Sequence, residues 1–136
     1  SNLLSGRPEH SVRKGDTVAV KLAGDDVLRA RATADLGPDT PTSVCIRAES
    51  IALVENGGQR NGGLQWLDGR VRNVSFHGDS QQYLIEVMGE IFKVRAGPEE
   101  RIRPGAPVHL GVSINDSIAT VDTGERVEQV MLEAEV

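Results

Sequence analysis

Leu67-Asp-Gly-Arg-Val-Arg-Asn-Val-Ser-Phe-His-Gly-Asp-Ser-Gln-Gln-Tyr-Leu-Ile-Glu-Val-Met-Gly-Glu-Ile-Phe-Lys-Val-Arg-Ala96 reads as three β-strands in succession. Val71 starts the first and Phe76 closes it. His77-Gly78-Asp79 turns the chain, Tyr83, Ile85 and Val87 share one face of the second, and Met88-Gly89-Glu90 turns again into Phe92 and Val94. Period-two alternation broken by glycine turns is the pattern of half-buried strands. The spacing from Val71 to Val74 to Phe76 slips phase once, which predicts a bulge near Arg72-Asn73 and a strand bent as small barrels require. Phe76, Tyr83 and Phe92 lie in phase with aliphatic residues and are expected in the core.

The same grammar extends outward. Towards the N-terminus, Ser5-Gly6 and Lys14-Gly15-Asp16 read as turns, and Val18, Val20 and Leu22 as one face of a strand. Gly24-Asp25-Asp26 reverses it into Leu28, Ala30 and Ala32. Residues 36–41 form a Gly/Pro loop. Val44, Ile46 and Ala48 then alternate with Cys45, Arg47 and Glu49, and Ile51 to Val54 closes the half. Towards the C-terminus, Val108, Leu110, Val112 and Ile114 alternate, and Ile118 to Val121 is the last strand. The apolar residues Val127, Val130, Met131 and Ala134 fit either a short helix or an accessory tail.

The chain repeats itself. Gly6 precedes Gly15-Asp16 by nine residues, as Gly69 precedes Gly78-Asp79, and Gly24 leads to Arg31-Ala32 much as Gly89 leads to Arg95-Ala96. Ile51-Ala52-Leu53-Val54 matches Ile118-Ala119-Thr120-Val121. The expectation is therefore an all-β protein of two related five-stranded, OB-like small barrels. Its halves fall at residues 1–55 and 65–122, joined by a glycine-rich connection at 56–64 and followed by a tail at 123–136.

Composition narrows the function. The 136 residues carry a net charge of -5. That balance disfavours sequence-independent nucleic-acid binding, which needs a basic surface to displace counterions, and an anionic membrane surface. Stacking on bases also needs exposed aromatics, of which Trp66, Phe76, Tyr83 and Phe92 are the whole supply. The single cysteine, Cys45, forms no internal disulfide and points to a cytosolic setting. No apolar run has the length of a membrane span. The Ser1-Asn2 start, without methionine, suggests a tag remnant or an excised fragment.

Catalytic patterns are wanting. His10, His77 and His109 lack zinc-site spacing, no Gly-x-Ser-x-Gly elbow occurs, and the phosphate-cradling Gly-x-x-x-x-Gly-Lys-Ser/Thr loop is missing. Asp25-Asp26 and Glu99-Glu100 read as solvated loop ends. No enzyme activity, cofactor or metal is expected of these residues. Arg47 and Glu49, two apart on one strand face, are a surface ion pair unless a partner addresses them. Trp66, beside the glycine connection, suits an edge cover or a subunit contact.

Two stretches then resemble a known family: Val44-Cys-Ile-Arg47-Ala48-Glu49-Ser-Ile51-Ala-Leu53, and Leu67-Asp-Gly69-Arg-Val71-Arg-Asn-Val74-Ser-Phe76-His-Gly78-Asp79 with Tyr83. Together with Gly105-Ala-Pro-Val108-His-Leu110 they are similar to the TOBE (transport-associated OB) region of ABC importer ATP-binding subunits. Ala48 stands where that family usually has proline, and His77 where it usually has leucine. The resemblance implies a cytoplasmic C-terminal regulatory and dimerising domain, peripheral to the inner membrane through its transporter. Its partners would be a second copy of itself, an upstream ATPase domain carrying ATP and Mg, and the importer's membrane subunits. The pattern from Phe76 to Val87 is most similar to spermidine/putrescine-type importers, with iron(III) and sugar importers close behind. Arg47, Glu49, Trp66, Phe76, His77, Gly78 and Asp79 are the candidate regulatory or interface residues. The contrasting readings are a stand-alone molybdate-type oxyanion binder and an OB-type nucleic-acid module.

Overall fold

A computed structural model describes residues 1–123. Alternating branched and polar residues build ten strands there: β1 Asn2–Pro8, β2 Thr17–Leu22, β3 Val27–Ala32, β4 Thr42–Ile46, β5 Ala52–Glu55, β6 Gln65–His77, β7 Ser80–Val87, β8 Glu90–Ala96, β9 Pro107–Val112 and β10 Ser117–Val121. Three single-turn 3-10 segments interrupt them, at Ala23–Asp25, Ala48–Ser50 and Ile114–Asp116. The protein is all-β, as the alternation requires. The tail from residue 124 lies outside the described residues.

The strands form two five-stranded units. In one, Ser1–Ile46 and the chain resuming at Ile114 close a barrel in the order β1-β2-β3-β10-β4, around Leu4, Val18, Val20, Leu28, Val44 and Ile46. In the other, Arg47–Ser113 forms a sheet in the order β5-β9-β6-β7-β8, over Val71, Tyr83, Ile85, Phe92, Val94 and Leu110.

These units correct the division at 1–55 and 65–122. The fifth strands are exchanged: β5 pairs antiparallel with β9, and β10 pairs antiparallel with β4. The loop at 56–64 consequently lies inside the second unit instead of joining two units. Sequence similarity is blind to this exchange, because an open strand edge offers the same row of N–H and C=O groups to the fifth strand of either copy.

Register makes the repeat exact enough to compare residues. Gly6 opposes Thr42 across β1 and β4, and Gly69 opposes Val108 across β6 and β9. Counting onward, Ala52 on Gly111 corresponds to Ile118 on Cys45, one residue off the match of Ile51 with Ile118. Gly6 is not a turn residue either. It lies within β1, where an added Cβ would stand 2.5 Å from the Lys21 carbonyl oxygen. Its counterpart Gly69 would place a Cβ 2.7 Å from Ile85 Cγ2. The shared glycine lets the neighbouring strand approach closely.

Within the opening stretch the register slips between Val71 and Asn73, the bulge the spacing predicted. Gly78-Asp79 makes the first hairpin turn, with His77 opposite Ser80 and Gly78 at φ 71°. Tyr83 and Phe92 are buried, but Phe76 is 71% exposed, against expectation. The reason is visible in its cross-strand partner: Phe76 pairs with Gln81, whose buried amide donates to the carbonyls of Gly97, Pro98 and Glu100. A polar plug ends the core at that level, so Phe76, although in phase, overhangs it. Two strand ends also fall short of their apolar alternation, since Ala48 and Ile114 begin or belong to 3-10 turns.

Candidate functional site

The predicted surface residues all fall in the second unit. Phe76, His77, Gly78 and Asp79 form the exposed end of the β6–β7 hairpin. Ser75 Oγ lies 3.0 Å from His77 Nε2, which steadies the imidazole on the outer rim. Arg47 and Glu49 do not share a strand face as expected: β4 stops at Ile46, and Arg47 precedes the Ala48–Ser50 turn, closed by the Ser50 N–H donating to the Arg47 carbonyl. Both residues are exposed, and no ion pair joins them among the described residues. Trp66 is half-buried. Its Nε1–H donates to the Asn61 carbonyl at 2.8 Å, and its ring lies so near Gly111 that a Cβ there would meet Trp66 Cη2 at 2.7 Å. Trp66 thus anchors the 56–64 loop to the sheet, a structural task that leaves it partly in solvent.

A second feature was not anticipated. Each unit carries an open cleft at the same repeat position. In the second unit a cleft of about 380 Å³ is lined by residues including Asn56, Asp68, Gly69, Arg70, Glu86 and His109. In the first, a cleft of about 280 Å³ is lined by Ser5, Gly6, Arg7, Pro41, Thr42 and Asp122. Counted through the strand registers, Ser5, Gly6, Arg7, Pro41, Thr42 and Asp122 correspond to Asp68, Gly69, Arg70, Pro107, Val108 and Asn56.

The bracing is shared as well. Arg7 Nη1 donates to the Asp39 carbonyl, and Arg70 Nη1 to the Gly105 carbonyl. The Asp122 N–H donates to the Pro41 carbonyl as the Asn56 N–H does to that of Pro107.

Their chemistry has diverged. In the second unit His109 Nδ1 meets Asp68 Oδ1 at 2.6 Å, and Arg72 is paired with Glu86. In the first, the equivalent cross-strand pair is Ser5 with Ser43, and the buried Ser43 hydroxyl has no hydrogen-bond partner among the described residues. Outside the clefts, desolvation pushes the Glu90 carboxyl above its ordinary value. No group of three or more His, Cys, Asp or Glu among the described residues is arranged to hold a metal. The only sequence signal for the clefts was the glycine repeat itself, because Gly6-Arg7 and Gly69-Arg70 read as ordinary turn and strand residues.

A model of the TOBE domain matches residues 44–119, more than half of the chain. The chain belongs to the TOBE domain family. The matched residues include both stretches that carried the resemblance. Among solved structures, the TOBE chain is similar to a molybdate-bound crystal form of the cytoplasmic molybdate-binding protein ModG, with a TM-score of 0.74 and 18% identity over 88% of this chain and 95% of that one. At that identity the likeness speaks for the fold of both units. No curated protein matches the chain significantly. No helix among the described residues is long and apolar enough to cross a membrane.

Proposed function

We propose that this TOBE chain is a non-catalytic regulatory and docking domain of the ATP-binding subunit of an ABC importer, working on the cytosolic side with a second copy of itself. ATP and Mg would belong to an upstream ATPase domain. The observation that carries this reading is Phe76. It belongs to a motif stretch within the matched residues, occupies a core-phase position, and is nevertheless 71% exposed. A large apolar side chain held in solvent at the end of a hairpin adds little to the core and is available to a partner surface. His77 and Asp79, exposed on the same hairpin, supply polar groups of the kind that rim a contact, and Arg47 and Glu49 at the Ala48–Ser50 turn offer further exposed charges. The stretch from Phe76 to Val87 supports a spermidine/putrescine-type cargo, ahead of iron(III) or sugar.

The test begins with the reading frame upstream of Ser1, where a phosphate loop and an ABC signature are expected; a start codon immediately before Ser1 would overturn the proposal. In the full-length subunit, Phe76→Ser should lower transport-coupled ATP hydrolysis while the melting temperature holds. Unchanged coupling would remove the hairpin from the contact.

A second reading, a small-oxyanion binder, is favoured by the fold shared with a molybdate-binding protein across both units. Titration calorimetry with molybdate decides it: saturable heat supports oxyanion capture, and none dismisses it.

A further inference from the structure

The 56–64 loop carries two Asn-Gly pairs, Asn56-Gly57 and Asn61-Gly62, and holds them very differently. Asn-Gly is the dipeptide whose backbone most readily attacks its own side chain, because glycine puts no Cβ in the way of the attacking nitrogen. At Asn61 the attack is opposed. Its Oδ1 accepts the Gly63 N–H at 2.8 Å, and its carbonyl accepts both the Leu64 N–H and the Trp66 indole N–H. Closing a ring there means breaking the side-chain bond and disturbing the anchor of Trp66.

Asn56 is free of such restraints. Its residue is exposed, and neither its side-chain amide nor the Gly57 N–H has a hydrogen-bond partner among the described residues. Gly57 sits at φ 89° with open space where a Cβ would be, in a turn closed only by the Gly58 N–H donating to the Glu55 carbonyl. The remaining described asparagines, Asn2, Asn73 and Asn115, precede Leu, Val and Asp, whose side chains hinder the attack.

We propose that Asn56 is a self-modifying site: its amide is lost to solvent while Asn61 is protected. The Gly57 nitrogen gives up its proton and bonds to Asn56 Cγ. The Cγ–Nδ2 bond breaks, ammonia leaves with the proton, and a five-membered succinimide remains. Water then opens either carbonyl to give aspartate or isoaspartate at position 56, so one water is taken up for one ammonia released and nothing is oxidised or reduced.

The change is not neutral for the cleft. Asn56 lines it with Asp68 and Glu86, so a carboxylate there adds a third acid beside Arg70. The repeat counterpart, Asp122, already has one in the gene. Conversion therefore gives both clefts an acid at the end of the exchanged strand, and the isoaspartate form lengthens the backbone next to the Asn56 N–H bond to Pro107.

The experiment is peptide mapping by mass spectrometry after prolonged incubation of the folded protein in mildly alkaline buffer prepared with oxygen-18 water. A parallel sample is kept in urea. In the folded protein, the Asn56 peptide is expected to gain the labelled oxygen several-fold faster than the Asn61 peptide, and in urea the two rates should converge. An Asn56→Gln variant should lose the signal at that peptide alone. Equal rates in the folded protein, a faster Asn61, or a silent Asn56 beside a reactive urea control would each overturn the assignment.

Discussion

Arg7 and Arg70 perform one task in two places: each guanidinium reaches from the first strand of its repeat to the carbonyl two residues before the proline leading into the fourth. The distances are 3.2 Å to Asp39 and 2.6 Å to Gly105. The arginine fixes the wall of each cleft by binding backbone. Its worth is that of an exposed charge-assisted hydrogen bond, well below a buried one. Arg70→Met keeps the aliphatic stem and removes the donor. We expect a loss of about 0.5–1 kcal/mol in urea unfolding, with Arg7→Met costing a similar amount and the double variant their sum, since the two share no partners. A double variant no weaker than either single one would refute the parallel.

The close approaches at Gly6 and Gly69 make a ranked pair. An added methyl at Gly6 meets a backbone oxygen, Lys21 O at 2.5 Å, which moves only if the strands part. At Gly69 the nearest atom is a side-chain methyl, Ile85 Cγ2 at 2.7 Å, and the Glu86 carbonyl is farther at 3.0 Å. Overpacking of this kind costs about 1–3 kcal/mol. Gly6→Ala should fall at the upper end and Gly69→Ala below it, measured as the shift in urea midpoint. The reverse order would mean that β1 and β2 yield more easily than their register implies.

Gln81 holds the core end that displaces Phe76. Its Nε2 donates to three carbonyls, and its Oε1 accepts the Tyr83 hydroxyl at 3.3 Å, which in turn accepts the Ile102 N–H at 3.3 Å. Leaving a buried polar group without a partner costs about 1–3 kcal/mol. Tyr83→Phe strands the Ile102 N–H and should destabilise within that range. Gln81→Leu strands the loop carbonyls and should cost more, with faster hydrogen exchange over 97–102. Uniform exchange in that loop would deny Gln81 its role as plug.

Much of this was legible beforehand, for physical reasons. Side-chain alternation is local, so the strands around Val18, Tyr83 and Phe92 follow from composition, and the bulge at Arg72 follows from a broken phase. What escaped were the features set by tertiary pairing. Phe76 has a core residue's phase, but only the amide of Gln81, bound to a distant loop, shows that the core stops beneath it. The exchange of β5 and β10 escaped because both fifth strands offer the same backbone groups. The clefts escaped because Asp68 and His109 are far apart in sequence and meet only through the β6–β9 register. Alternation alone puts Arg47 and Glu49 on a strand, because it does not mark where a strand gives way to a 3-10 turn.

Glu90 gives the chain a pH dependence of known sign. Desolvation raises its folded-state pKa above the unfolded value. Between those two values the folded protein binds more protons, so this group's contribution to stability falls as pH rises through the interval and remains a cost above it. Glu90→Gln should raise the melting temperature at neutral pH. The gain should fade below the ordinary carboxylate range, where Glu90 is protonated in both states. A gain independent of pH would assign the effect to packing.

The turn just before Glu90 holds a correctable strain. Met88 and Gly89 both have positive φ, 51° and 80°, the signature of a two-residue type I′ hairpin turn between Val87 and Glu90. Gly89 meets that demand at no steric cost, but Met88 places a Cβ near its neighbouring carbonyl, a conformation costing about 1–2 kcal/mol for an ordinary residue. Asparagine tolerates the left-handed region because its short amide bonds locally, and Asn-Gly is the favoured pair for this turn. Met88→Asn should therefore stabilise the protein by up to about 1 kcal/mol, read as a higher melting temperature. Met88→Gly should gain less, because glycine also widens the unfolded ensemble. If Met88→Asn lowers the melting temperature, the methionine side chain must be supplying contacts that outweigh the backbone strain.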